Sequence, residues 1–210
     1  MNIPPARALG IGRTLVPLGT HLLAVYMSEF VKDLAVIRYL QAGLVAGEAG
    51  LWITASDKPG EYLRRTAGRV GSPIAPFVDT PMLTVASFRD WYYPSGHVEA
   101  QRIAEQWAEQ VDAARRQGFT GLRAFCEITW TTERERDDLI AYEAGVGCTL
   151  KPLPIIATCA YAGELVRGEP MERLLRGHDH VLKVSESPIT FYFGDHVPPA
   201  PHVSAAREAL

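Results

Sequence analysis

Short apolar runs alternate with amphipathic stretches along this chain, and the spacing of the hydrophobic positions decides each element. His21 to Tyr26, Leu51 to Ala55, Met82 to Ala86, Gly121 to Ile128, Pro154 to Ala160 and Ile189 to Phe193 are short and rich in branched or aromatic residues, so they predict buried strands. Between them the apolar residues recur at three- and four-residue steps. Phe30, Leu34, Ile37, Leu40 and Leu44 predict a helix capped by Ser28 and closed by Gly47. Asp57 and Pro59 suit the first turn of a short helix reaching Ala67, and the proline-rich stretch 70–81 reads as loop. Ala100, Ile103, Ala104, Trp107, Ala108, Val111 and Ala114 draw the longest apolar face, with Arg115 and Arg116 late and Gly118 just beyond, as the helix dipole favours. Thr132 and Glu135 have capping-box spacing and start a helix that runs to about Tyr142 or a little beyond. A last short helix covers Met171 to Arg176.

Strand–helix alternation with connections too long for hairpins predicts an α/β fold, a doubly wound and mostly parallel sheet. In such sheets ligands bind at the carboxyl ends of the strands. That rim comprises Tyr26 to Glu29, Ala55 to Asp57, Ser87 to Trp91, Glu127 to Trp130 and Cys159 to Tyr161. Prolines near both ends predict an extended N-terminal arm over 1–18 and a proline-rich tail over 196–210, around one domain at 19–195.

Composition narrows the classes. With 47% hydrophobic and 21% charged residues among 210, the chain is long and apolar enough for a core without staples. A net charge of -3 argues against direct nucleic-acid binding. No apolar run is long enough to span a bilayer, and the first residues lack a signal-peptide pattern. Three cysteines without a CxxC pair favour a reducing, cytoplasmic setting.

The rim carries the candidate chemistry. The first strand-to-helix turn, Tyr26 to Asp33, is where this architecture cradles phosphate, yet it has no glycine, and Glu29 adds negative charge there. Glu127 ends a strand and is read either as a ligand-binding or general-base carboxylate or as a structural partner for an arginine or a helix end. Trp91-Tyr92-Tyr93, expected in a loop, reads as a pocket wall, a lid or an interface patch. Cys126 and Cys159 lie in apolar strands and read as small buried hydrophobes. His21 reads as a structural histidine, and His178-Asp179-His180 as an incomplete metal set. No G-x-S-x-G nucleophile elbow is present.

Gly19 to Tyr26 followed by Ala42 to Glu48 resembles the opening of the MEDS domain, the methanogen/methylotroph sensory domain of the dichloromethane-dehalogenase regulator. Trp91-Tyr92 ahead of a helix with Trp107, Glu127 to Trp130 followed by Tyr142-Glu143, and Ile155 to Tyr161 continue the resemblance over roughly Gly19 to Val184. It implies a RecA/KaiC-like fold with a degenerate P-loop and a non-catalytic role in sensing small organic compounds. The cysteine often found in the family's first strand is replaced by Leu23 and Ala24, which argues against a thiol or metal role in that strand. On this reading a small, largely apolar organic ligand is walled by Trp91, Tyr92 and Trp130. Tyr26, Glu29, Glu127 and Tyr161 orient it. No cofactor or metal is expected, nor any membrane. The residues flanking the domain are too few for a DNA-binding module, so output is expected through a regulator or histidine-kinase-type protein in trans, with room for a homodimer. The alternatives are an enzyme of the same fold with Glu127 as general base, and a pure interaction module docking through its aromatic loop.

Overall fold

The alternation of strand and helix is realised in the fold, a computed structural model that describes residues 6–11, 14–184 and 190–193. Two short strands, β1 (Arg7–Ala8) and β2 (Leu15–Val16), pair antiparallel. The main sheet is built from β3 (Thr20–Tyr26), β4 (Ala49–Thr54), β5 (Leu83–Ser87), β6 (Leu122–Glu127), β7 (Ile155–Ala162), β8 (His180–Val184) and β9 (Thr190–Phe193). Its order is β5-β4-β6-β7-β3-β8-β9, and every neighbouring pair is parallel except β8 and β9. The helices are α1 (Glu29–Val45), α2 (Pro59–Arg69), α3 (Phe88–Tyr92), α4 (Ala100–Arg116), α5 (Glu133–Leu150) and α6 (Glu169–Gly177).

Two apolar layers cover the sheet, and the two-residue period of a strand divides each strand between them. Along β6, Leu122, Ala124 and Cys126 join the layer made by α3, α4, α5 and α6, whereas Phe125 joins the layer made by α1, α2 and the β1–β2 segment. Both faces of the central strands are therefore buried, as a parallel sheet requires. No helix among the described residues is long and apolar enough to cross a membrane.

Several expectations are corrected. The residues expected to form an extended arm pack onto the core through Leu9, Ile11 and Val16. A buried ion pair holds this segment down: Arg123 Nε lies 2.7 Å from Glu48 Oε2, and Arg123 Nη1 donates to the Ala8 carbonyl at 2.9 Å. The buried face of α1 is also rotated from the expected one. Ile37 and Leu40 are buried as expected, but Phe30 is exposed and Lys32, Asp33, Val36 and Tyr39 point inward. Polar partners across the interface draw Lys32 and Asp33 in, which an apolar count along the helix cannot register. α5 runs on past Tyr142 to Leu150. Trp91 and Tyr92 lie in α3, capped by the Ser87 hydroxyl accepting from the Arg89 N–H, and not in a loop. β8 was not expected. The tail expected at 196–210 lies outside the described residues.

Candidate functional site

β3, β4, β6 and β7 end together, and at their carboxyl ends a cleft of about 470 Å³ opens between them and α2. Tyr26, Glu29, Lys32, Tyr62, Arg65 and Glu127 are among its lining residues. Strand alternation turns Tyr26, Thr54 and Glu127 toward the α1–α2 side of the sheet.

Lys32 and Glu127 organise the cleft. The Lys32 ammonium donates to Glu29 Oε2 at 2.7 Å and to the Tyr62 hydroxyl at 3.2 Å, and pairs with Glu127 Oε1 at 3.0 Å. Those three partners match its three N–H donors. The rings of Tyr26 and Tyr62 each lie 5.5 Å from Nζ, adding cation–π attraction. Burial works against the Lys32 charge, but Glu127 and Glu29 outweigh it and raise its pKa, so the group stays protonated. Burial raises the Tyr26 phenol and pushes Tyr62 up to about 12. Glu127 is equally engaged. Its Oε1 accepts from Trp52 Nε1 at 3.1 Å, and its Oε2 accepts from Thr54 Oγ1 at 2.9 Å and from the Ala55 N–H at 3.2 Å. Asp33 completes the network, accepting from the Tyr62 hydroxyl at 2.8 Å and from Arg69.

Of the expected site residues, the structure brings Tyr26, Glu29 and Glu127 to this cleft. Trp91, Tyr92, Trp130 and Tyr161 sit elsewhere, packed into or against the α3–α6 layer. Trp91 stacks on Trp107 at a ring separation of 5.0 Å, and Trp130 lies 6.0 Å from Tyr161. Trp91 Nε1, Tyr92 OH and Tyr161 OH find no hydrogen-bond partner among the described residues. Tyr161 shows why the rim divides in two. It follows Ala160, which registers with Glu127, and so points through the opposite face of the sheet.

Lys32, Thr54 and Tyr62 went unrecognised in the sequence. A signal for Lys32 was present, because Tyr26 and Lys32 are spaced as the first glycine and the lysine of G-x-x-x-x-G-K-[ST]. Val31 and Asp33 stand where that motif has glycine and Ser/Thr.

A second polar cluster lies under the other face. His21 from β3, Glu143 from α5, Cys159 from β7 and His178, just after α6, are all buried and place one ligand-capable atom each within 4.8 Å of one another. In the sequence His21 reads as structural and His178 as half of an incomplete set with His180; the structure gives His178 the companions His21, Glu143 and Cys159 instead.

Three comparisons bear on these sites. A family described as "MEthanogen/methylotroph, DcmR Sensory domain" matches residues 20–179. No curated protein sequence matches. Among solved structures, a KaiC-like protein from the hyperthermophilic archaeon Pyrococcus horikoshii superposes with a TM-score of 0.61 at 17% identity, covering 89% of this chain and 85% of that one. Because 512 solved chains share such similarity, the likeness carries the architecture and not an activity.

Proposed function

This chain belongs to the MEDS family of sensory domains, and from that premise we propose that it is a non-catalytic sensor that takes a small organic molecule into the cleft at the carboxyl ends of β3, β4, β6 and β7. The observation that carries the proposal is the saturation of Lys32. In a P-loop the lysine must reach the phosphates of a nucleotide. Here its donors are spent on Glu29, Tyr62 and Glu127, and the turn before it has no glycine to offer backbone N–H groups. The cleft volume fits a small ligand. Its charged floor and tyrosine walls suit a molecule with a polar end and a compact apolar body, more polar than the sequence alone suggests. Tyr26, Glu29 and Glu127 are its proposed contacts, joined by Tyr62 and Arg65. The signal passes to a regulator or histidine-kinase-type output module, a part of the proposal that rests on the family resemblance.

The competing readings fare less well. A general base needs a free lone pair facing substrate, and both Glu127 oxygens are held by donors. An interaction module docking through Trp91 and Tyr92 would need those side chains outside, and they are buried.

Native mass spectrometry of freshly purified protein, beside a thermal-shift screen of small halocarbons, alcohols and carboxylates, tests the proposal. A stabilising small molecule whose effect is lost in Tyr62→Ala or Arg65→Ala is expected. Calorimetry should find no magnesium-dependent ATP affinity tighter than about 1 mM, equivalent to about -4 kcal/mol. Micromolar, magnesium-dependent ATP binding would overturn it.

A further inference from the structure

The cluster beneath the α5–α6 side of the sheet has the composition and the geometry of a metal centre. His21 Nε2 lies 3.4 Å from Cys159 Sγ and 3.4 Å from Glu143 Oε2, and His178 Nε2 lies 3.3 Å from the same Glu143 oxygen. Zinc bound tetrahedrally by such ligands at its usual bond lengths separates neighbouring donor atoms by roughly 3.3–3.6 Å. We infer that His21, Glu143, Cys159 and His178 form a closed tetrahedral site for a divalent transition metal, with zinc favoured by the donor set.

The orientation of the imidazoles supports this independently of the distances. His21 Nδ1 faces the Gly177 carbonyl at 3.1 Å, and His178 Nδ1 faces the Leu174 carbonyl at 2.7 Å. Carbonyls only accept, so each ring carries its hydrogen on Nδ1. With the two rings stacked at 3.9 Å, both Nε2 atoms are left facing the Glu143 carboxylate, and a carbonyl on Nδ1 is the outer partner that metal-binding histidines have. A carboxylate oxygen facing two imidazole nitrogens at these distances calls for a cation between them, either a metal ion or a proton on one ring. Among the described residues, both Glu143 oxygens and His178 Nε2 lack a hydrogen-bond partner, although the side chains of Glu143 and His178 are fully buried. Polar atoms left like this in a core cost free energy.

Charge balance points the same way. A Cys159 thiolate and the Glu143 carboxylate together carry two negative charges, which one divalent cation cancels, leaving a neutral unit in an apolar layer. All four ligands come from the protein and none is open to solvent, so the site is structural rather than hydrolytic. It would tie β3, β7, α5 and the segment after α6 into one unit.

The test is metal content together with cobalt spectroscopy on the full chain. Protein produced in zinc-supplemented medium and gel-filtered without chelator should hold about one zinc per chain. Refolding from reducing denaturant with cobalt(II) alone should give the intense visible bands of a tetrahedral ion and a near-ultraviolet thiolate charge-transfer band. Cys159→Ser should abolish the charge-transfer band, and the exposed Cys148→Ser should leave it intact. Glu143→Gln should weaken metal binding by more than the 10- to 100-fold typical of an outer-shell partner. If Cys159→Ser does not fold, a Cys126→Ser, Cys148→Ser double variant retains Cys159 as its one thiol and should keep the band. Less than about a tenth of an equivalent of zinc, with no thiolate band on cobalt refolding, would overturn the site. A band that survives in Cys159→Ser, or is lost in the double variant, would do the same.

Discussion

Lys32, near the start of α1, and Glu127, at the end of β6, face each other at 3.0 Å with their side chains 3% and 6% exposed. Removing Lys32 would leave Glu127 a buried carboxylate with no cation beside it, whereas Lys32 keeps Glu29 and Asp33 within 3.4 Å. The pair also fixes where α1 sits over the sheet, and so shapes the floor of the cleft.

Lys32→Met should therefore destabilise the protein by about 3–5 kcal/mol in urea unfolding, since it leaves the buried Glu127 carboxylate without its cation. Adding Glu127→Gln should recover part of that loss, giving a coupling energy of about 1–3 kcal/mol in the double-mutant cycle. Strict additivity of the two changes would mean that the pair is not coupled.

Trp91→Ala should behave as a core truncation. Trp91 is 3% exposed and packs on Trp107, whose Nε1 donates to Tyr142 OH at 2.9 Å. Each of Trp91→Ala and Trp107→Ala should cost about 3–5 kcal/mol by denaturant unfolding. A much smaller loss for Trp91→Ala would restore it as a pocket wall.

Six of the seven strands of the main sheet, its mostly parallel pairing and most helices are legible because period-2 and period-3.6 patterns report burial directly, whereas β8 and the strand order are not. Nor is the face that each rim residue uses. Tyr161 and Glu127 share the carboxyl edge, but register alone separates them, and register is set by pairing across the sheet. Trp91 was placed in a loop because a five-residue helix is too short to show a period. The four-residue cluster was illegible for another reason. His21, Glu143, Cys159 and His178 lie far apart along the chain in no spacing a motif could capture, and only packing unites them.

Two glycines should respond in opposite senses. A Cβ on Gly43 would stand 2.7 Å from Arg123 Cβ and 2.8 Å from Arg123 Cγ, against the buried ion pair, so Gly43→Ala should cost about 1–3 kcal/mol. Gly145, within α5, has nothing within 4 Å of an added Cβ, and Gly145→Ala should stabilise by about 0.5–1 kcal/mol. Thermal unfolding of the two variants side by side reads both signs.

Acid stability should depend on Glu135, whose carboxyl is held down at about 2 chiefly by hydrogen bonds from the Arg89 guanidinium, at 2.6 Å for the nearer. The pKa is lower folded than unfolded, so the contribution is complete above the ordinary carboxylate value and fades as pH falls from about 4.5 toward 2. Glu135→Gln should flatten the decline in stability across that window. An unchanged pH profile in the variant would remove Glu135 from the acid response.

The position of β3 in the sheet bears on how the chain is made. It is the first long strand to leave the ribosome, yet both of its neighbours, β7 and β8, come from residues 155–162 and 180–184. Until those arrive, Leu22 and Leu23 have no strand on either side, and contacts of such long sequence separation form slowly. The nascent chain therefore carries an apolar segment with open edges until residues 155–184 have been made, and unpaired strand edges of this kind are what chaperones protect. Chaperone supply should therefore raise the folded yield of this protein without altering the stability of the finished sheet.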